Sequence, residues 1–226
     1  MDRRIVISGL AGLTGAMLSD SAWAKALTST EAQAGLRDML DDGTVAAVTR
    51  LGKTDGYWGD DLVRIPLPKP LASAQKIAKP LGLSGLFDEL HLRINRGAET
   101  AAPLAKDLFH DAISQMTIKD AVGIVKGGNT SGTEYLQKTT TPRLTDAFTP
   151  IIGNALASTG AVDYLDRAVK RNKLQGVVKT DAKTYLSGYA VKYALDGLFH
   201  YIGVEEIAIR RSPAKRASDI LKLVFG

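Results

Sequence analysis

Apolar side chains recur at every third or fourth position along most of the chain, the spacing that puts them on one face of an α-helix. Thr28 and Glu31 form a capping box, after which Leu36, Leu40, Ala47, Val48 and Leu51 keep helical spacing as far as Gly52. Punctuating residues follow from Lys53 through Asp55-Gly56-Tyr57-Trp58-Gly59 and end in Ile65-Pro66-Leu67-Pro68, where the prolines forbid a helix. A short helix is expected over 71–81. Ser84 then reads as the N-cap of a helix with Phe87, Leu90, Ile94 and Ala98 on one face. Pro103 kinks that helix or opens a second one carrying Leu104, Leu108, Phe109, Ala112, Ile113 and Met116. Thr117 and Asp120 mark the next start, which runs to Gly127-Gly128, and Ser131 with Glu134 is another capping box. Thr141-Pro142 and Ser212-Pro213 each place a cap residue before a proline at the first helical position. The longest periodic segment covers 181–211, where Tyr185, Tyr189 and Tyr193 recur every fourth residue beside Leu186, Ala190, Ala194 and Leu198. A last helix is expected over 213–225. Strand-like alternation is confined to 62–67, too short to define a sheet. The pattern predicts an all-α protein, a single multi-helix domain of about eight helices.

The first residues follow a different logic. Arg3 and Arg4 precede an apolar stretch from Ile5 to Leu18, and Ala22-Trp23-Ala24 supplies the small residues that a signal peptidase accepts. Residues 1–24 are therefore expected to be a signal peptide and 25–226 the helical domain. The apolar stretch is shorter than the ~20 residues needed to span a bilayer. The arginine pair with a weakly apolar, glycine-containing segment fits a twin-arginine signal, and a general secretory signal fits as well. Either route leads to the periplasm. No later segment has spanning length, so the mature chain is expected to be soluble, without a transmembrane helix.

Composition narrows the chemistry. Hydrophobic residues make up 45% and charged residues 23% of the 226, which suits a folded domain and excludes a disordered one. The absence of cysteine excludes a disulfide framework, a thiol nucleophile, thiolate metal sites and a lipoprotein anchor. Net charge is +5, and the basic sets Lys170-Arg171-Asn172-Lys173 and Arg210, Arg211, Lys215, Arg216, Lys222 carry part of it. They lack the aromatic interleaving of a single-strand binder, and no helix-turn-helix signature accompanies them. Nucleic acid is therefore not an expected partner; the basic residues read first as a plain solvated face, and as a functional surface they suit an anionic membrane or the cell wall.

No constellation commits the chain to a reaction. His91, His110 and His200 lie far apart and lack metal-ligand spacing, so no metal or cofactor is expected. Gly127 to Thr133 is glycine-rich and opens a helix, but it lacks the phosphate-loop lysine and a preceding strand, and a helix stop followed by a capped start accounts for it. Gly-x-Ser-x-Gly is absent. The informative polar residues sit among apolar neighbours on helices: Asn95, Glu99, Tyr189, Tyr193, Asp196, Glu205, Glu206 and Arg210. Glu206 and Arg210 have the spacing of a helical ion pair. Pointing inward, these groups need partners, because an unpaired buried charge costs at least ~3 kcal/mol. They form a polar network that holds helices in register, or they line a ligand pocket.

Several ordered segments carry a family resemblance. They include Leu51-Gly52-Lys53-Thr54-Asp55-Gly56, Ile65-Pro66-Leu67-Pro68, Asn95-Arg96-Gly97-Ala98-Glu99 with Ala102-Pro103, and Met116 to Ala121. Farther on come Thr133-Glu134-Tyr135, Ala194 to Phe199, Glu205-Glu206 with Ile209-Arg210, and Leu221 to Gly226. Together they resemble the bacterial domain-of-unknown-function family 4197 over nearly the whole mature chain. The resemblance implies a helical envelope protein and supplies no catalytic residues. Gly97 stands where the family leads one to expect an alanine-like residue, and the lipoprotein cysteine of some relatives is missing.

The functional expectation is a non-enzymatic periplasmic protein, structural or holding a small, lipid-like ligand between helices near the tyrosine stripe. One rival is a hydrolase or lyase using Glu99 or Glu205 as general base. Another is a scaffold for an envelope protein.

Overall fold

The computed structural model describes residues 30–157 and 181–211, with 162–163 and 167 between them. Its secondary structure is helical throughout, with no strand among the described residues. The helices are α1 (Thr30–Leu51), α2 (Lys69–Ala78), α3 (Gly85–Ala101), α4 (Ala105–Ser114), α5 (Ile118–Lys126), α6 (Ser131–Ala157) and α7 (Ala182–Arg211). Short 3-10 turns at Lys79–Leu81 and Ala102–Leu104 extend α2 and join α3 to α4. None of the described helices is long and apolar enough to cross a membrane. The expected signal, the Thr28 cap and the helix expected over 213–225 lie outside the described residues.

Two long helices, α6 and α7, pack side by side at the centre, with α3 and α4 against α6 and α1 against α7. The reason lies in two rows of every-fourth residues. On α6 the row is Leu136, Thr140, Leu144, Phe148 and Ile152, all fully buried. On α7 it is Ala182, Leu186, Ala190, Ala194, Leu198 and Ile202, whose three alanines let a neighbour approach closely. The same α7 row continues to Glu206, and this is why a carboxylate ends up in the interior.

Three local expectations are corrected. No helix starts at Pro142: α6 runs unbroken through Pro142 and Pro150. An internal proline costs about 3 kcal/mol, but burying Leu144, Phe148 and Ile152 returns about 1.5–3 kcal/mol each, so continuity wins. The hydroxyls of Thr139, Thr140, Thr141, Thr145 and Thr149 each donate to the carbonyl four residues back, and Thr141 is thereby a helix-interior residue and not a cap. Ser84 occupies the N-cap position of α3 as expected, but its hydroxyl goes to the Asp88 carboxylate at 2.7 Å, not to a backbone amide. Ser131 does not close a box with Glu134; its hydroxyl donates to the carbonyls of Ile124 and Gly128, and Thr130 is the residue that meets Glu134. Thr117 caps α5 and Asp120 is its first-turn acid as expected, and the two also close a reciprocal capping box; Pro103 resolves into the 3-10 turn between α3 and α4.

Candidate functional site

A polar row on α3 grips the loop between α1 and α2. His91, Asn95 and Glu99 are spaced by four, so they share one helical face. Asn95 Oδ1 accepts from the Ile65 amide at 2.8 Å, and Asn95 Nδ2 donates to the Ile65 carbonyl at 3.0 Å. His91 Nε2 lies 3.0 Å from that same carbonyl; a carbonyl oxygen only accepts, so this nitrogen carries the hydrogen. Glu99 Oε1 accepts from the amides of Tyr57 and Trp58 at 3.2 and 3.0 Å, and Oε2 meets Arg96 at 2.6 Å. Arg96 extends to Asp55 at 2.7 Å, and the paired carboxylates, Glu99 foremost, hold its guanidinium more firmly charged than usual. Burial of His91 lowers its imidazole below the ordinary range.

The gripped loop also sits on α7. Tyr57 is completely buried and donates its hydroxyl to the Ala194 carbonyl at 2.6 Å. Burial, and then the nearby Glu99 charge, push this phenol far above its ordinary value, so it remains a neutral donor. Gly197 makes the approach feasible: a Cβ there would lie 2.8 Å from the Tyr57 ring and 3.3 Å from Val63. Gly56 is required for the turn itself, because a Cβ would fall 2.5 Å from the Leu51 carbonyl oxygen. At the rim, Asp60 accepts from the Tyr201 hydroxyl, from Arg50 at 2.9 Å and from the Leu62 amide at 3.1 Å. The Tyr201 hydrogen bond, followed by Arg50, keeps the Asp60 carboxyl below the usual carboxylate range. Arg50 lies 4.1 Å from the centre of the Tyr201 ring, which gives the trio a cation–π contact as well.

A second cluster closes the N-terminal end of α6. Glu206 accepts from the Gly132 and Thr133 amides at 2.9 and 2.8 Å and from the Thr133 hydroxyl at 2.7 Å. Arg210 donates to it from Nε at 3.0 Å and Nη2 at 2.7 Å, and that same Nη2 reaches the Ile124 carbonyl and Ser131 Oγ. The amides at the start of a helix are an anion site; here the anion is the chain's own Glu206. Gly132 is glycine for a steric reason, since a Cβ would lie 2.6 Å from Leu40 and 3.0 Å from Glu206 Oε1.

The remaining sequence-predicted residues occupy other parts of α7. Tyr185, Tyr189 and Tyr193 stack in series on a half-buried face, with ring centres 6.5 and 4.7 Å apart. Burial, with the Tyr193 hydrogen bond next, raises the Tyr189 phenol. Asp196 is exposed and pairs with Lys192 at 2.7 Å, and Glu205 is half-buried. Beside this face an open cleft of about 410 Å³ is lined by Leu62, Val63, Arg64, Pro66, Tyr193, Asp196, Gly197 and His200. A second, of about 520 Å³, is lined by Trp58 and Arg64 of the loop, Gln75 and Lys79 of the α2 segment, and Asp88, Glu89 and His91 of α3. Seven of the eight predicted residues thus fall into two buried clusters and one surface face, while Glu205 lies apart from them on the side of α7 that meets Gly43 of α1.

Residues 26–226 match the family described as protein of unknown function (DUF4197). The chain belongs to this family. No curated protein and no solved structure matches it. Several of the segments that carry the DUF4197 resemblance are joined by the clusters. Leu51 to Gly56 and Ile65 to Pro68 belong to the gripped loop, Asn95 to Glu99 is the grip, and Thr133 and Glu206–Arg210 are the two sides of the second cluster. The expectation missed His91, Tyr57, Asp60 and Tyr201. His91 was detectable, since it continues the Asn95–Glu99 row by one turn, whereas nothing in local spacing links Arg50, Asp60 and Tyr201.

Proposed function

We propose that this DUF4197 protein is an exported, non-catalytic binding protein that takes a small amphipathic ligand into the cleft between residues 62–66 and α7. The observation that carries this reading is the rigid mounting of one cleft wall. Asn95 and Glu99 fasten the loop to α3 and Tyr57 fastens it to α7, so the apolar Leu62 and Pro66 and the charged Arg64 are held opposite Tyr193, Asp196 and His200. A volume of about 410 Å³ lies in the ordinary range for small-ligand sites, and a lining that mixes apolar Leu62, Val63 and Pro66 with charged Arg64 and Asp196 suits a molecule with both characters. The cleft is on the surface and not between the central helices, which shifts the ligand outward from the position expected on sequence alone.

The general-base reading of Glu99 has less support. Both of its oxygens are occupied by donors, and a base has to present a free lone pair to a substrate proton. Native mass spectrometry of protein isolated from the periplasm, followed by organic extraction, tests the proposal. A co-purifying amphipathic molecule that is lost in Leu62→Glu is the expected result. A protein free of ligand, or one whose ligand is retained in Leu62→Glu, would overturn it.

A further inference from the structure

The tip of α2 presents a combination that the folded interior does not explain. Ile77, Leu81 and Leu83 are 73, 68 and 69% exposed, the largest aliphatic exposure concentrated in one short segment among the described residues. The backbone places them together. Ile77 and Leu81 are four residues apart along the helix and its 3-10 extension, so they share a face. The helix then ends in a left-handed Gly82, φ 69°, with the Gly82 amide on the Lys79 carbonyl and the Leu83 amide on the Ala78 carbonyl. This Schellman closure turns the chain back at the tip and sets Leu83 immediately past it. The segment is anchored from behind, by buried Leu71 and by Gln75 Nε2 on Asp88 at 2.7 Å, and it packs mainly on α3. The aliphatic tip is therefore a held feature of the surface.

Charge indicates what meets it. Between Asp61 and Asp88 the chain contains Arg64, Lys69, Lys76 and Lys79 and no acidic residue. The lysines are all exposed. The first acids beyond the segment are engaged, Asp88 by Ser84 and Gln75 and Glu89 by Arg93. An aliphatic tip framed by lysines complements one surface in particular, a bilayer whose headgroups are anionic and whose acyl boundary accepts aliphatic side chains. We propose that the α2 tip is a membrane-docking element, with Leu81 and Leu83 entering the headgroup boundary of an anionic bilayer and Lys69, Lys76 and Lys79 lying against its phosphates. The inference is independent of the cleft proposed above, because its residues lie outside that cleft.

The test uses the full chain, which has no cysteine of its own. A single Leu83→Cys, labelled with an environment-sensitive fluorophore, is mixed with vesicles of phosphatidylglycerol and phosphatidylcholine or of phosphatidylcholine alone. Blue-shifted emission is expected with the anionic vesicles only, with no shift from the same label at Ile118→Cys on α5. In the labelled protein, combined Lys69→Gln, Lys76→Gln and Lys79→Gln lowers vesicle affinity at low salt about a hundredfold, on roughly fivefold per lysine at a charged surface. Because the label reports its own site, attachment through any other segment leaves it in water. No shift at position 83, an equal shift at position 118, or undiminished affinity in the lysine variant would each overturn the proposal.

Discussion

Removing the Glu206 side chain is the severest single test of the second cluster. The carboxylate is 1% exposed and faces two backbone amides, one hydroxyl and the Arg210 guanidinium, which is itself only 9% exposed. In Glu206→Ala the guanidinium loses its counter-charge and the Gly132 and Thr133 amides lose their acceptor at a buried position. Breaking a buried pair in this way costs about 3–5 kcal/mol. The Ile124 carbonyl and Ser131 Oγ still accept from Arg210, which places the expectation toward the lower end. Glu206→Gln keeps the shape but turns a donor toward Arg210, for a loss of about 1.5–3 kcal/mol. Urea unfolding followed by far-ultraviolet circular dichroism reads both, with unchanged m-values required for the comparison. The double variant Glu206→Leu, Arg210→Met removes the unpaired charge and is expected to recover part of the loss, though not all, because the α6 amides stay unsatisfied. A Glu206→Ala protein within about 1 kcal/mol of the parent, or single-variant losses that simply add in the double variant, would refute this account of the cluster.

Three further perturbations address the loop. Gly197→Ala forces a methyl to within 2.8 Å of the fully buried Tyr57 ring; a loss of about 1–3 kcal/mol from overpacking is expected in the same assay, and an unchanged midpoint would show that Tyr57 yields freely. Asn95→Ala strands the buried Ile65 amide, for about 1–3 kcal/mol from that donor alone, and limited proteolysis should then cut within 52–68 before elsewhere; a cleavage pattern identical to the parent would count against the clamp. The buried imidazole of His91 titrates below its unfolded value of about 6.5. The unfolded chain therefore takes up the proton first, and stability falls as pH drops from about 6.5 toward the lower folded value. His91→Gln should flatten that limb of the curve of urea midpoint against pH; parallel curves for parent and variant would contradict it.

Most of the helical architecture was legible because it rests on local spacing. The rows on α3, α4 and α7 follow from apolar residues three and four apart, and the start of α5 from Thr117 as cap with Asp120 as first-turn acid. The failures have physical causes. A Thr-Pro pair reads as a helix start, yet the buried row from Leu136 to Ile152 outweighs the proline defect and carries α6 through it. Ser131 and Glu134 have the spacing of a box, but their amides go to the Gly128 and Thr130 carbonyls and the Ser131 hydroxyl turns back to Ile124 and Gly128. Of the polar residues singled out, Asn95, Glu99 and Glu206 do turn inward and Asp196 does not, and Asn95–Glu99 and Glu206–Arg210 separate into different clusters because each is completed by amides far away in the chain: Ile65, Tyr57 and Trp58 in one, Gly132 and Thr133 in the other. Backbone partners leave no trace in residue type. Tyr189, Tyr193 and Asp196 share α7 with Glu206 but point to another side of it, as the helical repeat requires.

The account as a whole holds that the buried carboxylates fasten backbone and do not present themselves to substrate. Amide hydrogen exchange at Tyr57 and Trp58, in the parent and in Glu99→Gln, measures this most directly. Slow exchange at both amides in the parent, lost at those two positions in the variant while the α6 and α7 cores keep their protection, is the predicted result. Exchange in the parent as fast as at exposed loop amides, or protection unaltered by the substitution, would contradict it.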